Sequence, residues 1–403
     1  MSKRKIINDP IYGLITFPFD LLYDIIEHPY FQRLRRISQM GLSTYVYPGA
    51  NHSRFSHALG ALHLMTSSIT VLRDKGVSIS DEEYKASCLA ILLHDIGHGP
   101  YSHGLEGLMV DRHHEELSLM LMEELNTEFD NQLDLAINIF KGEYNRTFLS
   151  QLVSSQLDMD RMDYLTRDSY YTGVAEGVIG YKRLISMMNV VDDELVIEEK
   201  AIFSIEKFLV ARHFMYWQVY LHKTSIVAET MLRQFIQRLK ILILSENFED
   251  KWSCLLTNFF TDFRNGTINE NTLLSRFTEL DDVDVLTSLK IYKNHPDKIL
   301  NYLSNSILNR RLFAINLQDT PISSDFESKV RLNIGQKSGF DSETCNNLVF
   351  KGQETTQAYN NYKQNIKVLK KDGAIEPLSN LLNPWINVKK VTKFYLCYPR
   401  FIE

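Results

Sequence analysis

Apolar and polar residues alternate along most of the first 245 positions at the three- and four-residue spacing of amphipathic helices. The pattern covers residues 21–40, 55–76, 86–98, 114–126, 131–140, 148–170 and about 203–245. Pro29 divides the first of these segments into two short helices. Residues 86–98 are apolar on nearly every side and are followed by Gly99-Pro100, which predicts a helix that is buried on most faces and ends there. We therefore expect an all-helical bundle over residues 1–245.

The C-terminal part of the chain has a different character. A small hairpin is indicated around Asp192-Asp193, between helices of the first region, whereas β-branched and aromatic residues become frequent only beyond about residue 320. They concentrate in the segments RLNIG (331–335), NIKVL (365–369), AIEPL (374–378) and KVTKFYLCYP (390–399). Lys371-Asp372-Gly373 is a turn signal between two of them. The predicted fold is mainly α, with a catalytic helical core and N-terminal regulatory segment over 1–245 and a smaller helical, then α+β, region over 246–403.

Composition narrows the class of protein. The net charge of -6 disfavours a protein whose whole surface binds nucleic acid. No apolar run reaches the ~18 residues of a membrane span, and no signal peptide is indicated, so we expect no membrane partner. The four cysteines are scattered without CxxC spacing, which is typical of the reducing cytoplasm.

Histidine is the residue type that asks for a chemical explanation, because nine of the twelve lie between His28 and His114. Residues of metal-ligand and phosphate-binding types concentrate in three patches, at residues 54–57, 94–103 and 158–164. The adjacent His94-Asp95 lies in an apolar segment, and burying both groups costs free energy that a bound cation would offset. On a helix His94 and Asp95 could reach one cation, with His98 just beyond it. For His28 and His63 we favour hydrogen-bonded core residues.

Longer strings carry a resemblance to a known family. In chain order they are NDPIYG, FQRLRRISQMG, YPGANHSRFSHALG, LLHDIGHGPYSH, DMDRMDYLTRDSYYTG and YLHK, from about residue 5 to 240, with a weaker echo in RRLFA and the final strands. Together they resemble the HD-domain dNTP triphosphohydrolases, which include bacterial dGTPase relatives and SAM-and-HD-domain enzymes. The resemblance implies an HD-domain helical bundle without the separate SAM domain. It also implies hydrolysis of a dNTP to deoxynucleoside and tripolyphosphate, dGTPase-like and nucleotide-activated.

The same resemblance assigns the metal ligands and the catalytic residues. The implied ligands are His57, His94, Asp95 and Asp160. Imidazole and carboxylate together suit a divalent Mn, Fe, Co, Ni or Zn ion, and Mg would accompany the nucleotide phosphates. His103 resembles the histidine that protonates the leaving 5′-oxygen, with Glu106 orienting it. His98, His114 and Glu115 resemble the partners that fix ring orientation.

Other positions resemble substrate contacts. Those that match phosphate-binding residues are Arg54, Arg161, Tyr164 and Arg212. Gln39 and Asp168 match contacts to the deoxyribose 3′-hydroxyl, and Tyr220 matches a residue that crowds the 2′ position. A solvated charge on a helix is the alternative for Arg212, and a core aromatic is the alternative for Tyr220. Leu221 and Met40 depart from relatives near the base, so the base preference stays open.

A nucleotide pocket between subunits is implied by four further positions, Asn8, Glu27, Gln32 and Arg35. Glu27 replaces an aspartate that reads a guanine edge in relatives. The resemblance therefore implies a dNTP or NTP activator and a homo-oligomer, a dimer or tetramer, in which residues 246–403 contribute to assembly or allosteric control.

Two rival interpretations remain. The same metal site could serve a nucleotidase, a cyclic-nucleotide phosphodiesterase or an alarmone hydrolase. Alternatively, the chain could be a nucleic-acid-binding regulator with Lys363, Lys367, Lys370 and Lys371 as contacts, although such charge runs are usually a solvated face. Single-stranded nucleic acid is also retained as a candidate effector.

Overall fold

Helices form most of the chain in the computed structural model, which describes residues 5–245, 250–356, 365–383 and 391–400. In the first half the helices are α1 (Asp20–Glu27), α2 (Pro29–Gln32), α3 (Arg54–Asp74), α4 (Asp81–Leu93), α5 (His114–Glu128), α6 (Asp134–Lys141), α7 (Thr147–Val153), α8 (Met159–Thr172), α9 (Tyr181–Ser186) and α10 (Ile202–Met215). They are followed by α11 (Lys223–Leu244), α12 (Leu255–Arg264), α13 (Leu273–Phe277), α14 (Asp282–Tyr292), α15 (Lys298–Leu308), α16 (Ser324–Ser338) and α17 (Ser342–Asn347). The mainly α fold predicted from the hydrophobic pattern is confirmed.

Short strands form three small sheets. The strands are β1 (Ile6–Asp9), β2 (Gly13–Thr16), β3 (Met188–Val191), β4 (Glu194–Glu198), β5 (Ala314–Gln318), β6 (Phe350–Thr356), β7 (Lys367–Leu369), β8 (Ile375–Pro377) and β9 (Val391–Tyr398). β1 pairs with β2, the second sheet has the order β3-β4-β7-β8, and the third has the order β5-β9-β6. β7 runs parallel to β4, with Val196 opposite Lys367, so the C-terminal segment packs back onto the N-terminal half of the chain.

Two large hydrophobic cores organise most of the described elements, and a smaller cluster lies around Ile334 and Leu396. The first surrounds α3 and α4 and buries Leu62, Leu92 and Phe208 completely. The second surrounds α11 and buries Phe235 and Leu303. The second core also includes Leu42 and Leu105, which belong to two short 3-10 turns, Gly41–Tyr45 and Ser102–Leu105. The division at residue 245 stays a prediction; α11, which ends just before it, belongs to the second core.

Several predicted elements agree with the structure and others do not. The two helices meeting at Pro29, the hairpin at Asp192-Asp193 and the turn before Gly373 are all present. The all-helical expectation for 1–245 was wrong for residues 6–16, because β1 and β2 are too short to show a strand period. RLNIG was wrongly predicted as a strand; it lies in α16, where Ser323 caps the N-terminus and Leu332 is exposed while Ile334 is buried.

Three predicted helices end earlier or are interrupted. α4 ends at Leu93, so His94 and Asp95 lie in the turn that follows it and not on the helix. The segment 148–170 divides into α7 and α8 around Asp158, whose side chain caps α8 by accepting the Arg161 N–H at 2.7 Å. The segment 203–245 divides into α10, a π-helical turn at Tyr216–Tyr220, and α11, which His222 caps.

α3 is, among the described helices, the one long and apolar enough to span a membrane, but 67% of its apolar window is buried inside the protein. Its first two turns carry Arg54 and His57, both buried. α3 therefore lies at the centre of the first core and carries buried polar side chains at its own N-terminal end.

Candidate active site

Four side chains converge at the N-terminal end of α3. His57 lies in the second turn of α3, His94 and Asp95 follow α4, and Asp160 lies in the first turn of α8. His57 Nε2 is 3.1 Å from Asp160 Oδ1 and 3.5 Å from Asp95 Oδ2. His94 Nε2 is 3.5 Å from Asp160 Oδ1 and 3.4 Å from Asp95 Oδ1. Ligand atoms about 2.1 Å from one cation lie about 3.0–3.4 Å apart, so this spacing suits a shared metal ion.

The hydrogen bonds of the two histidines also fit a metal. His57 Nδ1 donates to Asp163 Oδ2 at 2.7 Å, and His94 Nδ1 donates to the carbonyl oxygen of Ile91 at 2.6 Å. Because Nδ1 carries the hydrogen in each ring, Nε2 presents a lone pair. Both Nε2 atoms are buried and have no hydrogen-bond partner within the part of the chain that the structure describes. An unpartnered buried nitrogen is costly, and coordination of a divalent transition metal would satisfy both.

The electrostatics of this cluster favour a cation. Burial lowers the pKa of His57, but the neighbouring carboxylates of Asp160 and Asp163 outweigh burial and raise it to about 10. Burial raises the pKa of Asp160, yet its contacts with His57 and His94 hold that pKa well below the usual range. The cluster therefore has a strong excess of negative potential, which a proton on histidine or a metal ion would neutralise.

A buried ion-pair network supports the cluster from behind. Asp163 accepts from Arg167 Nε at 2.9 Å and Nη2 at 3.1 Å, and Arg167 Nη1 donates to Asp9 Oδ2 at 2.8 Å. The side chains of Asp163 and Arg167 are completely buried. Gly60 packs so closely against them that any Cβ at this position would overlap the Asp163 carboxylate. This network holds the carboxylate that fixes the His57 ring.

The predicted catalytic histidine lies beside the cluster. His103 Nδ1 contacts Glu106 Oε2 at 3.0 Å, and Glu106 Oε1 accepts from His114 Nδ1 at 2.6 Å. The His98 and His114 rings stack at 4.0 Å. Hydrogen bonds from His103, followed by those from His114, hold the pKa of Glu106 well below its usual range. Glu106 is therefore an anion that orients both rings, while His103 remains mostly exposed.

A cavity of about 360 Å³ opens next to these groups, a size typical of small-ligand sites. Arg54, Arg161 and Tyr164 line it beside Asp95 and Asp160. Arg54 Nη1 donates to Asp95 Oδ2 at 2.5 Å, and Arg161 Nη1 contacts Asp158. The Nε atom of Arg161 is buried without a partner. This end of the cavity combines positive charge with the candidate metal centre.

The predicted deoxyribose contacts lie together on another wall of the cavity. Tyr220 Oη donates to Asp168 Oδ2 at 2.7 Å, and His52 Nε2 donates to Asp168 Oδ1 at 2.7 Å. The backbone carbonyl of His52 accepts the N–H of Gln39 at 3.1 Å. Gln39 Oε1 is buried and has no partner. His52 thus connects Gln39 with Asp168. The side-chain oxygen of Gln39 stays without a hydrogen-bond partner among the described residues.

Glu229, on α11, is an unexpected carboxyl group of this cavity. It packs against Gly41 and Gly104, where a Cβ on Gly41 would lie 3.1 Å from Glu229 Oε1. Burial raises its pKa to about 7, with Glu354 acting in the same direction and Arg233 opposing it. The sequence offered no signal for this residue, because its position on α11 is ordinary for a polar helix face.

Some predicted residues lie elsewhere. Glu115 is exposed in the first turn of α5 and does not line the cavity. Arg212 is buried, donates to Gln156 Oε1 at 3.1 Å and lies over the Tyr216 ring, behind the cavity wall. This environment differs from the solvated helix position considered as its alternative.

The four predicted allosteric positions lie at or near the surface. Arg35 Nε donates to Gln32 Oε1 at 2.8 Å, and Gln32 Nε2 donates to the carbonyl of Ile26, beside Glu27. Asn8 is exposed on β1. The first contact joins Arg35 to Gln32. The second joins Gln32 to Ile26, the residue that precedes Glu27 in the chain.

Sequence reasoning missed His52 and Asp163. Both occur within the strings that were singled out, YPGANHSRFSH and DMDRMD, but each was passed over in favour of a neighbouring residue. Asp163 lies three residues after Asp160, so on α8 the two carboxylates lie on neighbouring positions of one helix face. That spacing was the available signal for a carboxylate behind a metal-binding histidine.

Comparisons with known proteins agree on one family. The HD-associated region family matches residues 179–247. A phosphohydrolase from Bacteroides thetaiotaomicron has a solved structure that is 49% identical, with a TM-score of 0.92, over 99% of this chain and 100% of that chain. YwfO of Bacillus subtilis is 32% identical over 78% of this chain and 72% of its own length. Human deoxynucleoside triphosphate triphosphohydrolase SAMHD1 is 31% identical over 58% of this chain and 44% of its own length.

Proposed function

Because the chain belongs to the HD-domain phosphohydrolase family, which includes the dNTP triphosphohydrolases, we propose that it hydrolyses a dNTP to the deoxynucleoside and tripolyphosphate. The observation that carries the proposal is the pair of unpartnered Nε2 atoms of His57 and His94, which face Asp95 and Asp160. They stand at the cationic end of a cavity large enough for a small ligand.

The four groups His57, His94, Asp95 and Asp160 would hold a divalent transition metal. Such an ion, when bound, polarises a phosphoryl oxygen and lowers the pKa of a bound water. Arg54, already 2.5 Å from Asp95, and Arg161 bind the negative charge of the triphosphate.

His103 supplies the proton for the leaving group. Its Nδ1 is held by Glu106, so its Nε2 is the atom available to the leaving 5′-oxygen. The neighbouring His98 stays neutral, since burial and then the charge of Arg54 hold its pKa well below the usual range.

Gln39, Asp168 and Tyr220 bind the deoxyribose. Asp168 is held by His52 and Tyr220, which fixes its carboxylate for a sugar hydroxyl. The phenol ring of Tyr220 restricts the space beside it and thereby disfavours a 2′-hydroxyl. Buried Arg212 acts from behind Tyr216 by adding positive charge near the phosphates.

The finer assignments belong to the same proposal. They are a dGTPase-like preference, Mg on the nucleotide phosphates, activation by a dNTP or NTP at the site formed by Asn8, Glu27, Gln32 and Arg35, assembly into a dimer or tetramer, and a cytoplasmic location. The regulator alternative is weakened by pairing of its lysines: Lys367 contacts Glu194 and Lys370 contacts Glu376, both at 3.4 Å. Lys363 lies outside the described residues.

The test incubates Mn-loaded protein with each of the four dNTPs, singly and together, and separates the products by ion exchange. Deoxynucleoside plus tripolyphosphate is expected, and hydrolysis only in the mixture indicates an activator. Orthophosphate or pyrophosphate as the product would refute the proposed reaction and favour the other HD-domain substrates.

Variants assign the roles. Asp160→Ala should lose bound metal and turnover, whereas His103→Ala should keep metal and nucleotide binding and lose about 10²–10⁴-fold in kcat. His113→Ala is the matched control, because His113 is exposed and lies 3.6 Å from the same Glu106. Full activity of His103→Ala would show that the acid is a different group.

A further inference from the structure

Two residues immediately before His103 adopt a strained backbone. Tyr101 has φ 53° and Ser102 has φ 52°, in the left-handed region that disfavours residues with a side chain. The same turn decides where His103 points. It therefore needs contacts from outside the turn to hold it in this conformation.

A carboxylate from a distant part of the chain supplies them. Asp282 is the first residue of α14, in the second core. Its Oδ1 accepts the N–H of Tyr101 at 2.6 Å, and its Oδ2 accepts the N–H of Ser38 at 2.8 Å. Bonds from N–H groups to a carboxylate are stronger than neutral ones. One side chain thus joins two segments that border the cavity.

Both segments continue directly into site residues. Ser102 Oγ donates to the carbonyl of Ser38 and accepts from Arg54 Nε, each at 2.9 Å. His103 follows Ser102, and Gln39 follows Ser38. The metal-binding side chains, by contrast, are held by α3, α8 and the end of α4. A change at Asp282 therefore acts most directly on the acid and on the cavity wall, and it reaches the metal centre only through Arg54, which contacts both Ser102 and Asp95.

We propose that Asp282 is a positioning residue that holds the Tyr101–Ser102 turn and thereby places His103 against the leaving group. It touches no substrate, and its effect on rate rests on the proposed function. The carboxylate offers one acceptor oxygen to each of the two N–H groups. An asparagine side chain of the same shape offers a single acceptor oxygen.

Asp282→Asn is the test variant. Its amide NH₂ faces one of the two N–H groups, so one bond is lost and the turn is free to relax. Misplacement of a catalytic group by about 1 Å can cost about 10²-fold in rate. We expect kcat to fall about 10–100-fold, with a smaller change in KM and unchanged Mn content. Deuterium uptake of the peptide covering residues 99–105 should rise.

Asp284→Asn is the matched control. It lies in the same first turn of α14, loses the same charge and accepts the Asp281 N–H at 2.8 Å. It should keep kcat within twofold and leave uptake at 99–105 unchanged. Equal loss of kcat in both variants, or wild-type kcat in Asp282→Asn, would overturn the proposal.

Hydrogen exchange separates this proposal from the proposed function. If the wild-type protein hydrolyses no dNTP, the proposed function fails, while uptake at residues 99–105 still tests Asp282. If Asp282→Asn does not fold, hydrogen exchange of the wild-type protein tests the tether instead. A Tyr101 amide that exchanges as fast as the connecting segment 75–80 would refute the tether, and a protected amide would support it.

Discussion

Replacing Asp163 by asparagine should weaken metal binding without touching a metal ligand. Asp163 Oδ2 fixes the His57 ring by accepting from Nδ1 at 2.7 Å, and it also accepts from Arg167 Nε. An asparagine oxygen at this position keeps both bonds without the negative charge, while its NH₂ group opposes Arg167 Nη2. Loss of such a supporting carboxylate costs about 10–100-fold in metal affinity. That corresponds to about 1.4–2.8 kcal/mol.

Asp9→Asn provides the comparison. Asp9 is the other carboxylate of the same buried network, 2.8 Å from Arg167, but it does not contact His57. Both variants should lower the melting temperature, since each removes one partner of a buried charge. Only Asp163→Asn should weaken Mn binding, measured by calorimetric titration of the metal-free protein. The reasoning fails if Asp163→Asn binds Mn within threefold of wild type, or if Asp9→Asn loses as much affinity.

Three further predictions concern stability. Gly60→Ala should cost about 1–3 kcal/mol and weaken Mn binding, because its methyl group displaces Asp163, whereas Gly180→Ala, which meets nothing, should melt like wild type. Removing the metal with a chelator should lower the melting temperature, and adding Mn should restore it. At a Mn concentration a hundredfold above Kd, the free energy of unfolding should rise by about 2.7 kcal/mol. Asp160→Asn should show neither change. The pKa of Glu229, raised to about 7, means that the folded protein holds this proton more tightly than the unfolded chain, so stability falls as pH rises from about 4.5 to 7. Glu229→Gln should therefore melt higher than wild type at pH 8.5 and equally at pH 5, and a constant difference across that range would contradict the assignment.

Local patterns predicted the parts of the fold that depend on short-range chemistry. Period and proline position predicted α1 and α2, and the Lys371-Asp372-Gly373 turn predicted the reversal between β7 and β8. RLNIG failed because its single β-branched residue, Ile334, is the buried position of an amphipathic helix. The parallel pairing of β7 with β4 joins residues about 170 positions apart, and no local pattern reports such a contact.

The site divides in the same way. The buried pair His94-Asp95 was visible because ionisable residues in an apolar segment carry an unexplained cost. The sequence did not show that this pair lies after α4. The helical pattern of apolar residues continues through Ile96, although the α-helix ends at Leu93. The contacts of Asp282 were beyond reach, because they depend on how the second core packs against the first.

The meeting of two hydrophobic cores at the cavity has a consequence for how such a protein can change. The candidate metal-binding side chains extend from elements of the first core, while the turns Gly41–Tyr45 and Ser102–Leu105 rest on the second through Leu42 and Leu105. Substitutions that accumulate in α11 to α15 would therefore reach those two turns directly. A library built in the second core would vary this part of the cavity wall while every candidate metal ligand keeps its own surroundings in the first core.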